Sequence, residues 1–193
     1  MVNKIFNMLN ISFDGEISFT DYDGVYLKYD GKNAIIGGNT YPRKARGLFL
    51  LAMQINICSN ECEITEKPEF DTCGPMLDFS RGGVMRVEAV KKYIDYITCM
   101  GFNMMMLYTE DTYEMKEYPM FGYMRGRYST DELREIDNYA FSCGVEIIPC
   151  IQTLGHMSKF LRWSCAADIK EDANSLLAGE EKTYEFIENE IKT

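Results

Sequence analysis

The feature that most restricts the fold is a unit that occurs twice: an amphipathic helix, a glycine, and then an apolar strand. The first unit has a predicted helix over residues 86–100, followed by Gly101 and a strand over residues 102–108. The second unit ends in Gly144 and a strand over residues 145–150. Strands that are apolar at nearly every position are typical of parallel sheets with both faces covered. The repeated unit therefore predicts an α/β fold, either a barrel or a doubly wound sheet.

The barrel is the favoured alternative, because no glycine-rich phosphate loop follows these strands. A complete (β/α)8 barrel needs about 250 residues, and residues 68–193 supply roughly half of that number. The sequence therefore predicts an incomplete TIM-type (β/α)8 barrel, about the first three βα units, over residues 68–193. A separate domain is predicted over residues 1–67.

The region before the barrel has the pattern of a small α+β domain. Apolar runs at residues 25–29 and 33–36 flank the dipeptide Asp30-Gly31, which is typical of a β-hairpin. Apolar residues at helical spacing predict a helix over residues 41–57, and a further strand follows it. A Pro- and Gly-containing segment then separates this region from the barrel.

The composition is that of a globular protein, with 46% hydrophobic and 26% charged residues. A formal net charge of -10 without any basic run argues against a nucleic-acid partner. The apolar stretches are too short to span a membrane, and the N-terminus lacks the pattern of a signal peptide. The seven scattered cysteines fit reduced thiols better than a zinc site. We therefore expect a cytoplasmic protein that uses no metal and no cofactor.

Polar side chains stand just after the ends of the three predicted barrel strands. Asp78 and Arg81 follow the first strand, Glu110 and Asp111 follow the second, and His156 follows the third. The carboxyl ends of barrel strands carry the active-site residues in folds of this kind. We therefore expect these side chains to converge on one charged face.

Each of these residues also has a structural alternative. Arg81 suits sugar hydroxyls or a ligand carboxylate, and it equally suits an ion pair with Asp78. Glu110 and Asp111 are adjacent, so in an extended segment only one of them faces the barrel axis. Their alternative is a solvated pair or a helix cap. His156, the only histidine, is either structural or paired with Glu110 from the neighbouring strand.

The loop over residues 112–128 is unusually aromatic. Its rings are Tyr113, Tyr118, Phe121, Tyr123 and Tyr128, and its arginines are Arg125 and Arg127. Aromatic rings stack on the apolar faces of sugars, which makes this loop a candidate substrate-binding lip. Packing of the same rings onto the barrel is the alternative. For Trp163 the same two alternatives stay open.

Three segments that contain these residues resemble glycoside hydrolase family 20, the β-N-acetylhexosaminidases. Residues 74–81, with an Asp-x-x-Arg ending, resemble the first barrel strand of that family. Residues 107–111 resemble its second strand end, which usually carries two acidic residues, and residues 147–156, which end in Gly-His, resemble the third. The preceding α+β region is similar to the small domain before the barrel in that family. The resemblance runs from about residue 20 to the end of the chain.

The resemblance implies a retaining exo-β-N-acetylhexosaminidase that hydrolyses terminal β-linked N-acetylhexosamines with assistance from the substrate. In that mechanism the acetamido oxygen of the sugar attacks the anomeric carbon, an Asp orients the acetamide, and the adjacent Glu is the general acid. By resemblance, Arg81 and Asp111 bind the substrate. Glu110 and His156 are expected to form a supporting relay for catalysis that tunes the general acid. Glu110 departs from the family, which more often has Asp at this position.

The resemblance also implies that the catalytic Asp-Glu pair follows a fourth strand, and the sequence reaches Thr193 before such a strand. Glu180 and Glu181 are no substitute, because they open a predicted helix over residues 182–191, where acidic residues favour the N-terminal dipole. We therefore expect a fragment of the enzyme that is nearly inactive alone. Exposed barrel edges predict that it self-associates.

Two alternatives to an enzyme fragment stay open. One is a non-catalytic carbohydrate-binding or interaction module. The other is a complete small enzyme that uses Glu110, Asp111 and His156 directly.

Overall fold

The chain has a mixed α/β fold, and the computed structural model describes residues 1–58 and 60–193. The helices are α1 (Val2–Leu9), α2 (Tyr41–Asn56), α3 (Val87–Cys99), α4 (Thr130–Ser142) and α5 (Glu181–Lys192). The strands are β1 (Ile17–Thr20), β2 (Val25–Tyr29), β3 (Ala34–Gly37), β4 (Cys62–Glu66), β5 (Met76–Asp78), β6 (Met104–Tyr108) and β7 (Glu146–Cys150). A short 3₁₀ helix spans Ser164–Ile169.

Two compact units make up the described chain. The first consists of Met1–Pro75, Val90–Met105 and Tyr139–Glu146. The second consists of Met76–Ala89, Met106–Asn138 and Ile147–Thr193. The domain division that the sequence predicts between residues 67 and 68 stays a prediction.

The first unit contains a four-stranded sheet in the order β1-β3-β2-β4. Strands β2 and β3 form the predicted hairpin, and the carboxylate of Asp30 shapes its turn. That carboxylate accepts hydrogen bonds from the backbone N–H groups of Lys32 (2.9 Å) and Asn33 (2.6 Å). Gly31 adopts a φ of 89° in the same turn, a conformation that favours glycine. The hairpin prediction is confirmed.

Helix α2 packs against β2 and β3 and supplies much of the core of the first unit. Thr40 caps the helix by accepting a hydrogen bond from the N–H of Arg43 at 3.4 Å. Pro42 lies in the first turn, where a missing N–H is tolerated. Fully buried residues from the sheet and the helix meet in this core, among them Leu27, Ile36, Leu48 and Leu51. The predicted helix is confirmed, with its end at Asn56.

Helix α1 is not among the predicted elements, although its apolar residues Val2, Ile5, Phe6 and Leu9 recur at helical spacing. Ile5 and Phe6 are buried in the same core. Lys4 forms an ion pair with Asp95 of α3 at 2.5 Å. The Lys4 ammonium also lies 4.6 Å from the centre of the Tyr139 ring in α4. Tertiary contacts, rather than periodicity alone, hold this short helix.

Strands β5, β6 and β7 form a second sheet in that order. Strands β5 and β6 are parallel, with Asp78 opposite Tyr108. Strand β7 lies on the other side of β6, where the carbonyl of Cys150 accepts a hydrogen bond from the N–H of Thr109 at 3.3 Å. Helix α3 connects β5 to β6, and helix α4 connects β6 to β7. The parallel pairing that the sequence predicts is confirmed for β5 and β6.

The glycines that the sequence predicts after α3 and α4 are confirmed. Gly101 and Gly144 follow these helices with φ values of 88° and 68°. Ser129 and Glu132 form a capping box at the start of α4. The Ser129 hydroxyl accepts from the N–H of Glu132 at 3.2 Å, and the Glu132 carboxylate accepts from the N–H of Ser129 at 2.9 Å.

Burial of the strands on both faces, which the sequence predicts, is wrong for this sheet. In β6 the side chains of Met105 and Leu107 are buried, whereas those on either side of them are only half-buried. Met76 of β5 is 59% exposed. Successive side chains point to opposite faces of a sheet, so one face of β6 is more fully covered than the other, and no side chain of β5 or β7 is fully buried.

In the part of the chain that the structure describes, no helix combines the length and apolar character needed to cross a membrane. The seven cysteines, all of which are described, are free thiols. Across residues 1–58 and 60–193, no three His, Cys, Asp or Glu side chains are grouped so that they could hold a metal ion.

Candidate functional site

The adjacent ends of β5 and β6 each lead into a turn that carries charged residues. After β6, the N–H of Thr112 donates to the carbonyl of Thr109 at 3.0 Å and closes a turn. Glu110 lies in this turn with a φ of 48°, in the left-handed region that residues other than glycine rarely adopt. The segment is therefore a turn rather than the extended strand end that the sequence predicts. Backbone strain of this kind is often concentrated at functional sites.

Arg81 is the centre of a charged cluster beyond β5. Its guanidinium pairs with the carboxylate of Asp78 at 2.9 Å and with that of Glu110 at 3.1 Å. It also lies 5.2 Å from the centre of the Tyr108 ring. Arg81 thus forms the ion pair with Asp78 that the sequence offered as the alternative to ligand binding. It also reaches Glu110 at the end of the next strand. The side chain is 56% exposed, which leaves donors accessible to a ligand.

Ser80 fixes the carboxylate that holds Arg81. Its hydroxyl and its backbone N–H donate to one oxygen of Asp78, at 2.7 and 2.8 Å. These hydrogen bonds, together with Arg81, lower the pKa of Asp78 to about 2. Asp78 is therefore ionised at neutral pH, and its charge orients the guanidinium of Arg81.

Arg125 belongs to the same cluster, although the sequence did not identify it as a site residue. Its guanidinium donates to the carboxylate of Asp111 and to the backbone carbonyl of Ser80. It also lies 4.0 Å from the carboxylate of Glu110. The one sequence sign of this role is an arginine within the aromatic loop that follows the acidic pair.

Glu110 and Asp111 are both buried and differ in their nearest partners. Glu110 pairs with Arg81 and lies 4.0 Å from Arg125, whereas Asp111 pairs with Arg125. Burial raises the pKa of the Asp111 carboxyl, and the guanidinium of Arg125 opposes that rise. Asp111 therefore holds the guanidinium of Arg125 in position.

A cavity of about 430 Å³ opens at these strand ends. Its volume lies within the range of roughly 300–1,000 Å³ that is common for small-molecule sites. Its lining is polar or charged and includes Ser80, Arg81, Glu110, Arg125, His156 and Lys159. Donors and acceptors of this density suit a ligand rich in hydroxyl groups or charge, and not an apolar one.

His156 lines this cavity from the turn after β7, where its φ is 61°. Among the residues that the structure describes, no hydrogen bond or ion pair joins His156 to Glu110, which interacts instead with the two arginines. The structure thus brings Arg81, Glu110 and His156 to one cavity. The relay between Glu110 and His156 stays a prediction.

The aromatic loop is packed mainly onto its own unit. Tyr113, Phe121 and Tyr128 are buried, and Tyr118 makes an edge contact with Phe186, with ring centres 4.8 Å apart. Tyr123, in contrast, is 46% exposed. Most rings of the loop therefore pack onto the protein and do not form a substrate-binding lip. Tyr123 is the ring that remains accessible to a ligand.

Comparison of the sequence with profiles of known protein families identifies one family. The profile of glycosyl hydrolase family 20, catalytic domain, matches residues 70–192. No curated protein matches the chain.

Solved structures of three enzymes share the fold. The GH20 exo-β-N-acetylglucosaminidase from Vibrio harveyi, as an inactive mutant, has a TM-score of 0.76 at 19% identity, over 99% of this chain and 38% of that one. A mutant Streptomyces plicatus β-hexosaminidase in complex with its product GlcNAc has a TM-score of 0.74 at 20% identity, over 98% and 48%. The chitobiase from Flavobacterium johnsoniae has a TM-score of 0.70 at 22% identity, over 91% and 32%. This chain therefore spans less than half the length of each.

Proposed function

This chain belongs to glycosyl hydrolase family 20, and from that membership we propose that it supplies part of the sugar-binding site of a retaining exo-β-N-acetylhexosaminidase. The observation that carries the proposal is the cavity where Arg81, Glu110 and His156 meet. Sugar hydroxyls donate and accept hydrogen bonds, and charged partners make the stronger bonds of this kind. The substrate class is a glycan with a terminal β-linked N-acetylhexosamine.

In this proposal Arg81 binds the hydroxyls of the terminal sugar. Its ion pairs with Asp78 and Glu110 fix the guanidinium before the sugar arrives, so little side-chain entropy is lost on binding. That Asp111 binds the substrate stays a prediction; Asp111 pairs with Arg125, which lines the cavity. Glu110 and His156 form the relay that supports the general acid.

The proposal for the fold is that β5, β6 and β7 are the first three strands of a (β/α)8 barrel. The parallel pairing of β5 and β6, and the helices between successive strands, support it. Residues 1–67 would then be the small α+β domain that precedes the barrel.

The proposed reaction is assisted by the substrate. The acetamido oxygen attacks the anomeric carbon, while a carboxylic acid protonates the oxygen of the leaving group. Glu110 is engaged by Arg81 and Arg125, so we do not assign it as that acid. General acid catalysis alone contributes roughly a hundred- to ten-thousand-fold in rate. The 193-residue chain is therefore expected to bind the sugar and to hydrolyse it very slowly.

Retention on immobilised N-acetylglucosamine tests the binding site. The wild-type chain is expected to be retained, and Arg81→Ala is expected to bind about tenfold or more weakly, because a charged hydrogen bond contributes roughly 1.5–3 kcal/mol. Arg134→Ala is a matched control, since Arg134 also pairs with an aspartate three residues away but lies on α4. Equal retention of the wild type and Arg81→Ala would contradict the proposal.

Hydrolysis of an aryl N-acetylglucosaminide tests the claim of inactivity. The expected rate for the chain is at least about a hundredfold below that of a full-length family 20 enzyme under the same conditions. A comparable rate would instead favour a complete small enzyme that uses Glu110, Asp111 and His156 directly.

Self-association is the remaining part of the proposal. Strands β5 and β7 lie at the two edges of their sheet, and strand edges pair readily with other strands. Sedimentation equilibrium is expected to detect dimers or larger species, and a monomer at all concentrations would argue against pairing. The cytoplasmic location stays a prediction.

A further inference from the structure

The cavity at the strand ends has two walls, and their side chains differ in how they are engaged. The first wall includes Arg81, Glu110 and Arg125. Arg81 pairs with Asp78 and Glu110, and Arg125 pairs with Asp111, so the carboxylates outnumber the guanidinium groups. A negatively charged ligand group is therefore disfavoured at this wall, whereas neutral sugar hydroxyls are not.

The second wall comes from segments that follow β7 and consists of His156, Ser158, Lys159 and Asn174. All four residues are exposed. Within residues 1–58 and 60–193, their side chains form no hydrogen bond and no ion pair. The imidazole, hydroxyl, ammonium and amide groups of this wall are therefore free to bind a ligand.

The backbone of the second wall is fixed, although its side chains are free. The N–H of Met157 donates to the carbonyl of Asn174 at 3.0 Å and so joins the two segments that form the wall. Met157 and Phe160, which flank Ser158 and Lys159 in the sequence, are buried. The side chains of the wall therefore extend from an ordered backbone, which lowers the entropy cost of binding.

Asp172, which lies two residues before Asn174, does not act as a counter-ion for Lys159. Its carboxylate accepts hydrogen bonds from the backbone N–H groups of Asn174 at 2.7 Å and Ser175 at 2.8 Å. These hydrogen bonds lower the pKa of the Asp172 carboxyl. In the described part of the chain, the Lys159 ammonium thus lines the cavity without a carboxylate partner.

We infer that the second wall binds an anionic ester, a sulfate or a phosphate, on the C6 oxygen of the terminal N-acetylhexosamine. Such an ester carries about one to two negative charges at neutral pH, and its oxygens accept hydrogen bonds. The Lys159 ammonium supplies the positive charge, and the Asn174 amide and the Ser158 hydroxyl supply further donors. The C6 oxygen extends farthest from the pyranose ring, so Arg81 binds ring hydroxyls while the ester meets the second wall. This inference rests on the proposed function, because it takes the cavity as the site of the terminal sugar.

The experiment titrates the full chain with N-acetylglucosamine, with its 6-sulfate and with its 6-phosphate. His156 is the only histidine and lines the cavity, so its imidazole resonance reports each of these ligands. The titrations are repeated with Lys159→Met, which removes the charge, with Lys159→Arg, which keeps it, and with Asn174→Ala. Lys116→Met removes an exposed lysine of the aromatic loop, outside the cavity lining, and is the matched control.

In the wild type, at least one of the two esters is expected to bind about tenfold or more tightly than N-acetylglucosamine, the factor that corresponds to one charged hydrogen bond. The two ester titrations show whether the sulfate or the phosphate is the ligand. High salt should reduce this advantage more than it changes the affinity for the neutral sugar. The advantage is expected to disappear in Lys159→Met, to remain for the most part in Lys159→Arg, and to fall by a smaller factor in Asn174→Ala. Lys116→Met should keep the full advantage.

Failure of the ester site and failure of the cavity give different results. Equal affinities for all three sugars in the wild type, with an intact His156 response, would overturn the ester site and leave the proposed function standing. An ester advantage that survives in Lys159→Met, or that is lost equally in Lys116→Met, would also overturn the ester site, because Lys159 would not be its cause. No His156 response to any of the three sugars would overturn both the proposed function and the ester site.

Discussion

Glu190 is a buried carboxylic acid whose titration should lower the stability of the second unit as the pH rises from about 4.5 to about 8. It is 3% exposed, and the Tyr113 hydroxyl donates to one of its oxygens at 2.9 Å. The other oxygen has no hydrogen-bond partner among the described residues. Burial raises the pKa of Glu190 to about 8, although the bond from Tyr113 opposes the rise. A carboxylate at this place would be a buried charge without a counter-ion nearby in the structure as described.

The effect on stability follows from the difference between the folded and unfolded pKa values. In the unfolded chain the carboxyl has its ordinary pKa of 4.5, so it ionises there before it ionises in the folded state. The contribution of Glu190 to the free energy of unfolding is therefore fully present below pH 4.5. It falls as the pH rises toward 8, by up to about 1.4 kcal/mol per pH unit. The expected loss is about 3 kcal/mol at pH 7.

Glu190→Gln removes this titration and keeps an acceptor for Tyr113. Urea unfolding is followed by the fluorescence of Trp163, which packs on the same cluster of aromatic rings as Tyr113. The free energy of unfolding of the wild type, minus that of the variant, should fall by about 3 kcal/mol between pH 5 and pH 8. Glu185→Gln, on the exposed part of α5, is the control for removal of a charge from this helix. A difference that stays constant over this range would refute the argument.

Three further predictions concern stability. Lys4→Ala removes the ion pair with Asp95 and should lower the free energy of unfolding by about 1 kcal/mol, and by less in high salt; chemical denaturation at two salt concentrations measures this. Gly144→Ala should destabilise by about 1–2 kcal/mol in thermal denaturation, since φ is 68° and the new Cβ would lie 2.8 Å from Pro42. Because the pKa of Asp78 is lowered, its carboxylate contributes to the free energy of unfolding above about pH 4, and this contribution is lost as the pH falls through about 2. The free energy of unfolding of Asp78→Asn should therefore depend less on pH in that range than that of the wild type.

The elements that the sequence predicts well are those with local signals. Strand β2 has the predicted bounds, and the reciprocal bonds of Ser129 and Glu132 are those of a capping box. Strand β1 has no such signal, because it is an edge strand whose side chains do not alternate between buried and exposed. Helix α1 has apolar residues at helical spacing, Val2, Ile5, Phe6 and Leu9, but eight residues are too few for a helix to be stable by itself. Its packing on the core and the ion pair of Lys4 stabilise it, and those contacts are not contained in the periodicity.

Some residues of the candidate site were likewise predictable from the sequence, and others were not. Strand ends of a parallel sheet meet at one edge, so Arg81, Glu110 and His156 were predictable from topology. Arg125 was not, because it reaches the cavity through the path of a long loop. The left-handed φ of Glu110 was also not predictable, since glutamate has no preference for that conformation.

The central claim is that the guanidinium of Arg81 binds the terminal N-acetylhexosamine in the cavity beside His156. The most direct measurement is the His156 imidazole resonance during titration with N-acetylglucosamine, compared between the wild type and Arg81→Ala. We predict a saturable change in the wild type and in Arg134→Ala, and a midpoint shifted by about tenfold or more in Arg81→Ala. Superimposable titrations of the wild type and Arg81→Ala would contradict the account.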